Sequence, residues 1–206
     1  VANEDRKLGI DVLGALPWGK HVCYFYNTKQ DLVNVLVPYF QAGLENNESC
    51  LWITTEPLSK KKAEEAMEKA IPDFPQYLAI GQIEIIPHTE WYLKGNIFDG
   101  KRVFNAWTEK LERAMASGYD GLRVSGDTAW LERRDWNNFI AYEGKINNTI
   151  GKYHMLAICT YPLHKRGASQ AINVMSKHHY NLIKHRGDLV LIGGSERERE
   201  EESQTA

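Results

Sequence analysis

Apolar runs of strand length alternate with amphipathic helical stretches from residue 21 to residue 192, and that alternation confines the chain to an α/β architecture. His21-Val-Cys-Tyr-Phe-Tyr26 reads as a buried strand, residues 31–44 as an amphipathic helix, and Ser49-Cys-Leu-Trp-Ile-Thr-Thr-Glu56 as a second strand. This is the opening βαβ unit of a nucleotide-binding domain, but its connecting loop is Asn27-Thr-Lys-Gln30. A phosphate cradle needs glycines that let consecutive backbone N–H groups converge on the anion, and a Lys-Ser/Thr pair opening the helix. The loop has neither. The expectation is an architecture kept without NTPase chemistry: a ligand sensor, with no catalytic residues and no cofactor.

The pattern continues along the chain. Residues 61–71 place Ala63, Ala66, Met67 and Ala70 on one helical face, and the proline-rich stretch Ile71-Pro-Asp-Phe-Pro75 ends that helix. Residues 82–87 form a third strand. Residues 101–116 carry Val103, Phe104, Trp107 and Leu111 as a helical stripe. A fourth strand over 121–125, a helix carrying Trp136, Phe139, Ile140 and Ile146, and a fifth strand over 154–160 follow. A short helix near 169–177 leads into a hairpin, 180–184 and 189–192, turning at Arg186-Gly-Asp188. The order predicts a mainly parallel sheet with helices on both faces and a C-terminal antiparallel hairpin. Residues 1–193 read as one domain. Residues 194–206 read as a charged extension, disordered or a connector to an output module.

Composition excludes some classes. At 43% hydrophobic, 25% charged and a formal charge of −2, the chain has no basic excess for nucleic acid. No apolar run approaches the roughly 20 residues of a membrane span. Three cysteines, Cys23, Cys50 and Cys159, lie in apolar runs and make no disulfide framework, so a cytoplasmic protein is expected.

Gly19-Lys-His-Val-Cys-Tyr-Phe-Tyr26, residues 36–44 with Gly43, Glu48-Ser-Cys-Leu-Trp-Ile-Thr-Thr55 and Trp91-Tyr-Leu-Lys-Gly-Asn-Ile-Phe-Asp99 together resemble the MEDS domain. That is the sensory domain of methanogens and methylotrophs, named partly for a regulator of dichloromethane degradation. The resemblance covers residues 17 to about 192. It implies a RecA/KaiC-like fold without a P-loop, a small hydrocarbon-derived or methylated ligand, and a histidine kinase or DNA-binding module as output. By the same resemblance, His21, Cys23 and Cys50 are ligand-sensing residues, with Trp91 and Tyr92 beside them.

The residues support this unevenly. His21 and Cys23, two apart on a strand, share a face. With Cys50 they make an alternative soft-metal or thiol-redox set, although buried cysteine is often a small apolar filler. Ligands of open α/β sheets gather beyond the C-terminal strand ends. By that rule the rim comprises Tyr26, Thr54, Glu56, His88, Trp91, Ser125, Asp127 and Tyr161, with residues 88–99 as a lid. The plainer reading packs Trp91 and Tyr92 against the sheet. Asp127 stands where an ATPase holds magnesium, or else caps a turn. A residual nucleotide enzyme would use Lys29, Asp127 and Glu143. Adjacent residues on a helix diverge, so His178-His179 receive no role. The apolar hairpin edge suits a homodimer or a covering segment equally.

Overall fold

A computed structural model of the chain describes residues 5–193; the charged extension lies outside them. The central sheet comprises β1 (Lys20–Tyr26), β2 (Ser49–Thr54), β3 (Ile83–Pro87), β4 (Leu122–Asp127), β5 (Met155–Pro162), β6 (Tyr180–His185) and β7 (Asp188–Ile192). Its seven strands are ordered 7-6-1-5-4-2-3. All neighbours are parallel except β6 and β7. The mainly parallel sheet and C-terminal hairpin expected from the alternation are therefore present. Arg186 and Gly187 turn the hairpin at φ 54° and 98°, the positive values of a two-residue hairpin turn.

Helices cover both faces, which is why the strands read as nearly continuous apolar runs. On one face lie α1 (Lys29–Glu45), α2 (Lys60–Ala70) and α3 (Phe74–Ala79), packed on Val22, Tyr24, Cys50 and Trp52. On the other lie the helical turn α4 (His88–Trp91), α5 (Gly100–Ala116), α6 (Trp136–Thr149) and α7 (Ala168–Met175), packed on Cys23, Phe25, Leu51 and Ala157. The proline stretch that ends α2 also starts α3, because Pro75 sits in the first turn, where its missing N–H costs nothing. Two-residue ribbons pair Arg6–Lys7 with Ala15–Leu16 and Leu93–Lys94 with Ile97–Phe98.

Beneath α1 the sheet holds a fully buried ion pair. Arg123 Nη2 donates to Glu48 Oε1 at 3.0 Å, Nε reaches the other carboxylate oxygen, and Nη1 donates to the Tyr39 carbonyl at 2.8 Å. Arg6 adds a second guanidinium to Glu48 at 3.0 Å. Cys50 is the cross-strand neighbour of Arg123. Its thiol faces the carbonyls of Phe40 and Glu48 at 3.9 and 3.8 Å. A Cβ on Gly43 would lie 2.7 Å from Arg123 Cδ and 2.9 Å from Cys50 Sγ, so this turn of α1 takes glycine. Arg123→Met leaves the Glu48 charge buried beside only Arg6 and is expected to cost about 3–5 kcal/mol. Urea unfolding followed by tryptophan fluorescence measures it. Glu48→Gln added to Arg123→Met is expected to restore part of the loss.

Candidate functional site

The sheet divides the residues singled out from the sequence. His21, Cys23, Trp91 and Tyr92 belong to the α5–α6 side, and Tyr26 and Cys50 to the α1 side. A set of His21, Cys23 and Cys50 is thus separated by the sheet itself: Cys50 occupies an even position of β2, where side chains face α1. Glu56 is exposed and pairs with Lys62 at 3.1 Å. The Thr54 hydroxyl donates to the Ile86 carbonyl at 3.4 Å. His88 is half-buried and stacks on Trp130, their centroids 6.2 Å apart.

On the α5–α6 side, between helices and sheet, is a cavity offering ≈ 30 Å³ to the centres of water-sized molecules. That is room for a molecule of a few heavy atoms. Val124, Gly126, Met155, Ala157 and Cys159 form its floor; Phe104, Trp107, Tyr142 and Ile146 form its walls, with His21 and Tyr92 at its border. Trp107 Nε1 donates to Tyr142 Oη at 2.6 Å, tying α5 to α6. The cavity lies over the sheet face, so of the residues singled out from the sequence only His21 and Tyr92 line it.

Residues 88–99, expected to be an irregular lid, are ordered into α4 and the small ribbon. Trp91, Tyr92 and Phe98 are buried. Asp99 caps α5 by accepting from the Lys101 and Arg102 amides at 2.9 and 3.1 Å. Arg102 reaches back to the Trp91 and Tyr92 carbonyls at 3.0 and 2.8 Å. The segment thereby holds Tyr92 across β4, where a Cβ on Gly126 would meet Tyr92 Oη at 1.9 Å.

Next to the cavity is a cluster of chemically active side chains. His21 Nε2 lies 3.3 Å from Cys159 Sγ and 3.3 Å from Glu143 Oε2, and His178 Nε2 lies 3.1 Å from Glu143 Oε2. Parallel register places Cys159 opposite Cys23 on the face shared with His21. Burial, then unfavourable interaction with the neighbouring His178 and His179, holds His21 well below its ordinary pKa. Burial and the Glu143 carboxylate push the thiols of Cys23 and Cys159 up. His178 and His179 do not lie on a helix. The helix ends at Met175, and in the turn that follows, His178 points into the cluster while His179 Nδ1 accepts from the His21 amide at 3.0 Å. That is why His178 went unassigned; the sequence offered no sign that β5 and β6 flank β1.

Asp127 sits on the opposite face. It accepts from the Ala129 amide and the Thr160 hydroxyl, both at 2.8 Å, and so makes the expected turn contact. At the N-terminus of α1, Asp31 closes a capping box with Thr28. Asp31 Oδ2 accepts from the Thr28 and Asn27 amides at 2.9 and 3.2 Å, and Lys184 pairs with Oδ1 at 2.9 Å.

The sequence profile of the MEDS family, described as the methanogen/methylotroph DcmR sensory domain, matches residues 20–179. The chain belongs to the MEDS family. The chain is 25% identical over 161 residues to the transcriptional repressor DcmR of Methylorubrum extorquens (strain DSM 6343 / CIP 106787 / DM4), a match covering 77% of the chain and 57% of the repressor. The MEDS chain thus spans little more than half of that relative. In fold it is similar to the KaiC-like protein PH0186 of Pyrococcus horikoshii OT3, with a TM-score of 0.62 at 13% identity over 94% of this chain and 89% of that one. It is also similar to the flagellar accessory protein FlaH of Methanocaldococcus jannaschii, with a TM-score of 0.59 at 12% identity over 89% and 82%. Among the described residues no helix is long and apolar enough to cross a membrane.

Burial raises Asp127 from 3.8 to about 6, against the hydrogen bonds that favour its charge. The folded state therefore holds a proton that the unfolded state has lost, and stability falls as pH rises through this window. Relative to Asp127→Asn, the native chain is expected to lose about 1.4 kcal/mol per pH unit between roughly pH 4 and 6, levelling above. Urea titrations of both proteins across that range measure the difference; a flat difference would show that Asp127 stays ionised.

Proposed function

We propose that this MEDS chain is a non-catalytic sensory domain that takes a small hydrocarbon-derived or methylated molecule into the cavity between β4–β5 and α5–α6. Occupancy then controls a signalling or transcriptional output through a histidine kinase or DNA-binding module. The observation that carries the reading is the cavity itself: a partly open aromatic and aliphatic space with one imidazole at its border and one thiol in its floor. Such a site gains chiefly by burying apolar surface and selects by one or two polar contacts. The transcriptional role named for the relative, and the part of its length that lies outside the match, support an output carried elsewhere in sequence.

The non-enzymatic reading rests on α1. The glycine-free loop before it gives the Asn27 and Thr28 amides to Asp31, which also pairs with Lys184, so that loop offers no glycine cradle for a phosphate. A cytoplasmic setting suits three buried free cysteines. Cys23 lies beside the cluster without lining the cavity, whereas Cys50 belongs to the packing around Glu48 and Arg123.

A ligand that binds only the folded state raises the melting temperature by mass action. A panel of halomethanes, methylated thiols and amines, and short alcohols is expected to contain stabilising compounds, while ATP with magnesium gives no shift. Ala157→Leu fills the cavity floor and is expected to abolish the shift while the fold, followed by circular dichroism, persists. An undiminished shift in Ala157→Leu would place the binding site elsewhere.

A further inference from the structure

We propose that His21 Nε2, His178 Nε2, Cys159 Sγ and the Glu143 carboxylate together bind one divalent metal ion of the zinc class. The donor atoms of these four buried residues lie within 4.8 Å of one another. They come from β1, the α7–β6 link, β5 and α6. The separations are 3.3 Å for His21 to Cys159, 3.3 Å for His21 to Glu143, 3.1 Å for His178 to Glu143 and 3.8 Å for Cys159 to Glu143 Oε1. Tetrahedral zinc with bonds of about 2.0–2.1 Å to nitrogen or oxygen and about 2.3 Å to sulfur has ligand-to-ligand edges of about 3.3–3.6 Å. The His21–Cys159, His21–Glu143 and His178–Glu143 separations are near those edges, while the full donor set spans up to 4.8 Å and the His21 and His178 ring centroids lie 3.9 Å apart, so the rings would swing apart as an ion draws the donors in.

Proton positions point the same way. His178 Nδ1 lies 2.8 Å from the Val174 carbonyl, which can only accept, so Nδ1 carries a proton and Nε2 is the nitrogen available to a metal ion. Nε2 faces Glu143 Oε2. Both atoms are buried without a hydrogen-bond partner although they lie 3.1 Å apart. Such a buried pair is satisfied by a proton shared between them or by a metal ion, and the nearby His21 nitrogen and Cys159 sulfur supply the further donors that a metal ion uses. An imidazole with one nitrogen on a backbone carbonyl and the other free is also the usual metal-ligating form. Charge closes the argument: a divalent ion, one thiolate, one carboxylate and two neutral imidazoles sum to zero, the one total that full burial tolerates cheaply. All four positions are filled by protein, which marks a site that fastens segments together and leaves no place for a reactive water. It would pin the start of β6 to β1, β5 and α6.

The test uses the whole chain. Purified without chelator from zinc-containing medium, it is expected to carry one zinc per chain by elemental analysis. After stripping under reducing conditions, cobalt(II) is expected to restore the visible bands of a tetrahedral ion together with a near-ultraviolet thiolate-to-metal band. Cys159→Ser, nearly isosteric, is expected to lose the thiolate band and weaken cobalt binding at least tenfold. Cys23→Ala and Cys50→Ala are expected to retain the band. Glu143→Gln and His178→Ala are expected to weaken binding similarly, and circular dichroism checks their folding. A wild-type chain that binds no cobalt, or a thiolate band that survives Cys159→Ser, overturns the proposal. No organic ligand enters these measurements, so the cavity reading stands or falls separately.

Discussion

Glu48 and Arg123 carry opposite charges into the space beneath α1, and each is tolerable there only because of the other. Their geometry governs the neighbourhood. The guanidinium takes up carbonyls from Tyr39 and Lys7, so α1 and the N-terminal segment are referenced to the same point of the sheet. Gly43 and Cys50 then follow as matters of shape, since both must be small where the arginine stem passes. Two parts of the pattern that drew attention to a sensory family are thus explained by packing around an ion pair. The motif and the site overlap without being identical.

The other face of the sheet is organised differently. There the polar groups are not matched into a complete salt bridge but gathered around one buried carboxylate, Glu143, at the border of a cavity. The Trp91–Asp99 motif acts at this border too. Its last residue caps α5, the first turn of α5 returns an arginine to its backbone, and the result is that Tyr92 is held over Gly126. A stretch that looked like a movable lid is a clasp. One face of the sheet centres on a buried ion pair, and the opposite face carries the cavity and the His21–Glu143–Cys159–His178 cluster.

The architecture was legible because strands buried on both sides read as apolar runs and because the helix starts carry recognisable caps, as at Thr28 with Asp31. The site was much less legible. Whether Cys50 and Cys23 share a face depends on the parity of each within its strand, and whether Cys159 meets His21 depends on β1 and β5 being neighbours across 138 residues. An apolar run such as residues 155–161 makes its cysteine look like filler. His178 was misread because the short helix before it was drawn too long. The rule that ligands gather at strand ends led to Asp127 and Thr54, while the cavity lies over the middle of the sheet, under α5 and α6.

The position of β1 within the sheet has a consequence for synthesis. It precedes every other strand of the sheet along the chain, yet its two neighbours, β5 and β6, come near the end of the described chain. While the ribosome works, this apolar strand has made few of its partners and must wait for nearly the whole domain to emerge. Pairings so distant in sequence slow folding and prolong the exposure of sticky segments. The centre of this sheet is therefore closed by segments separated by most of the described chain.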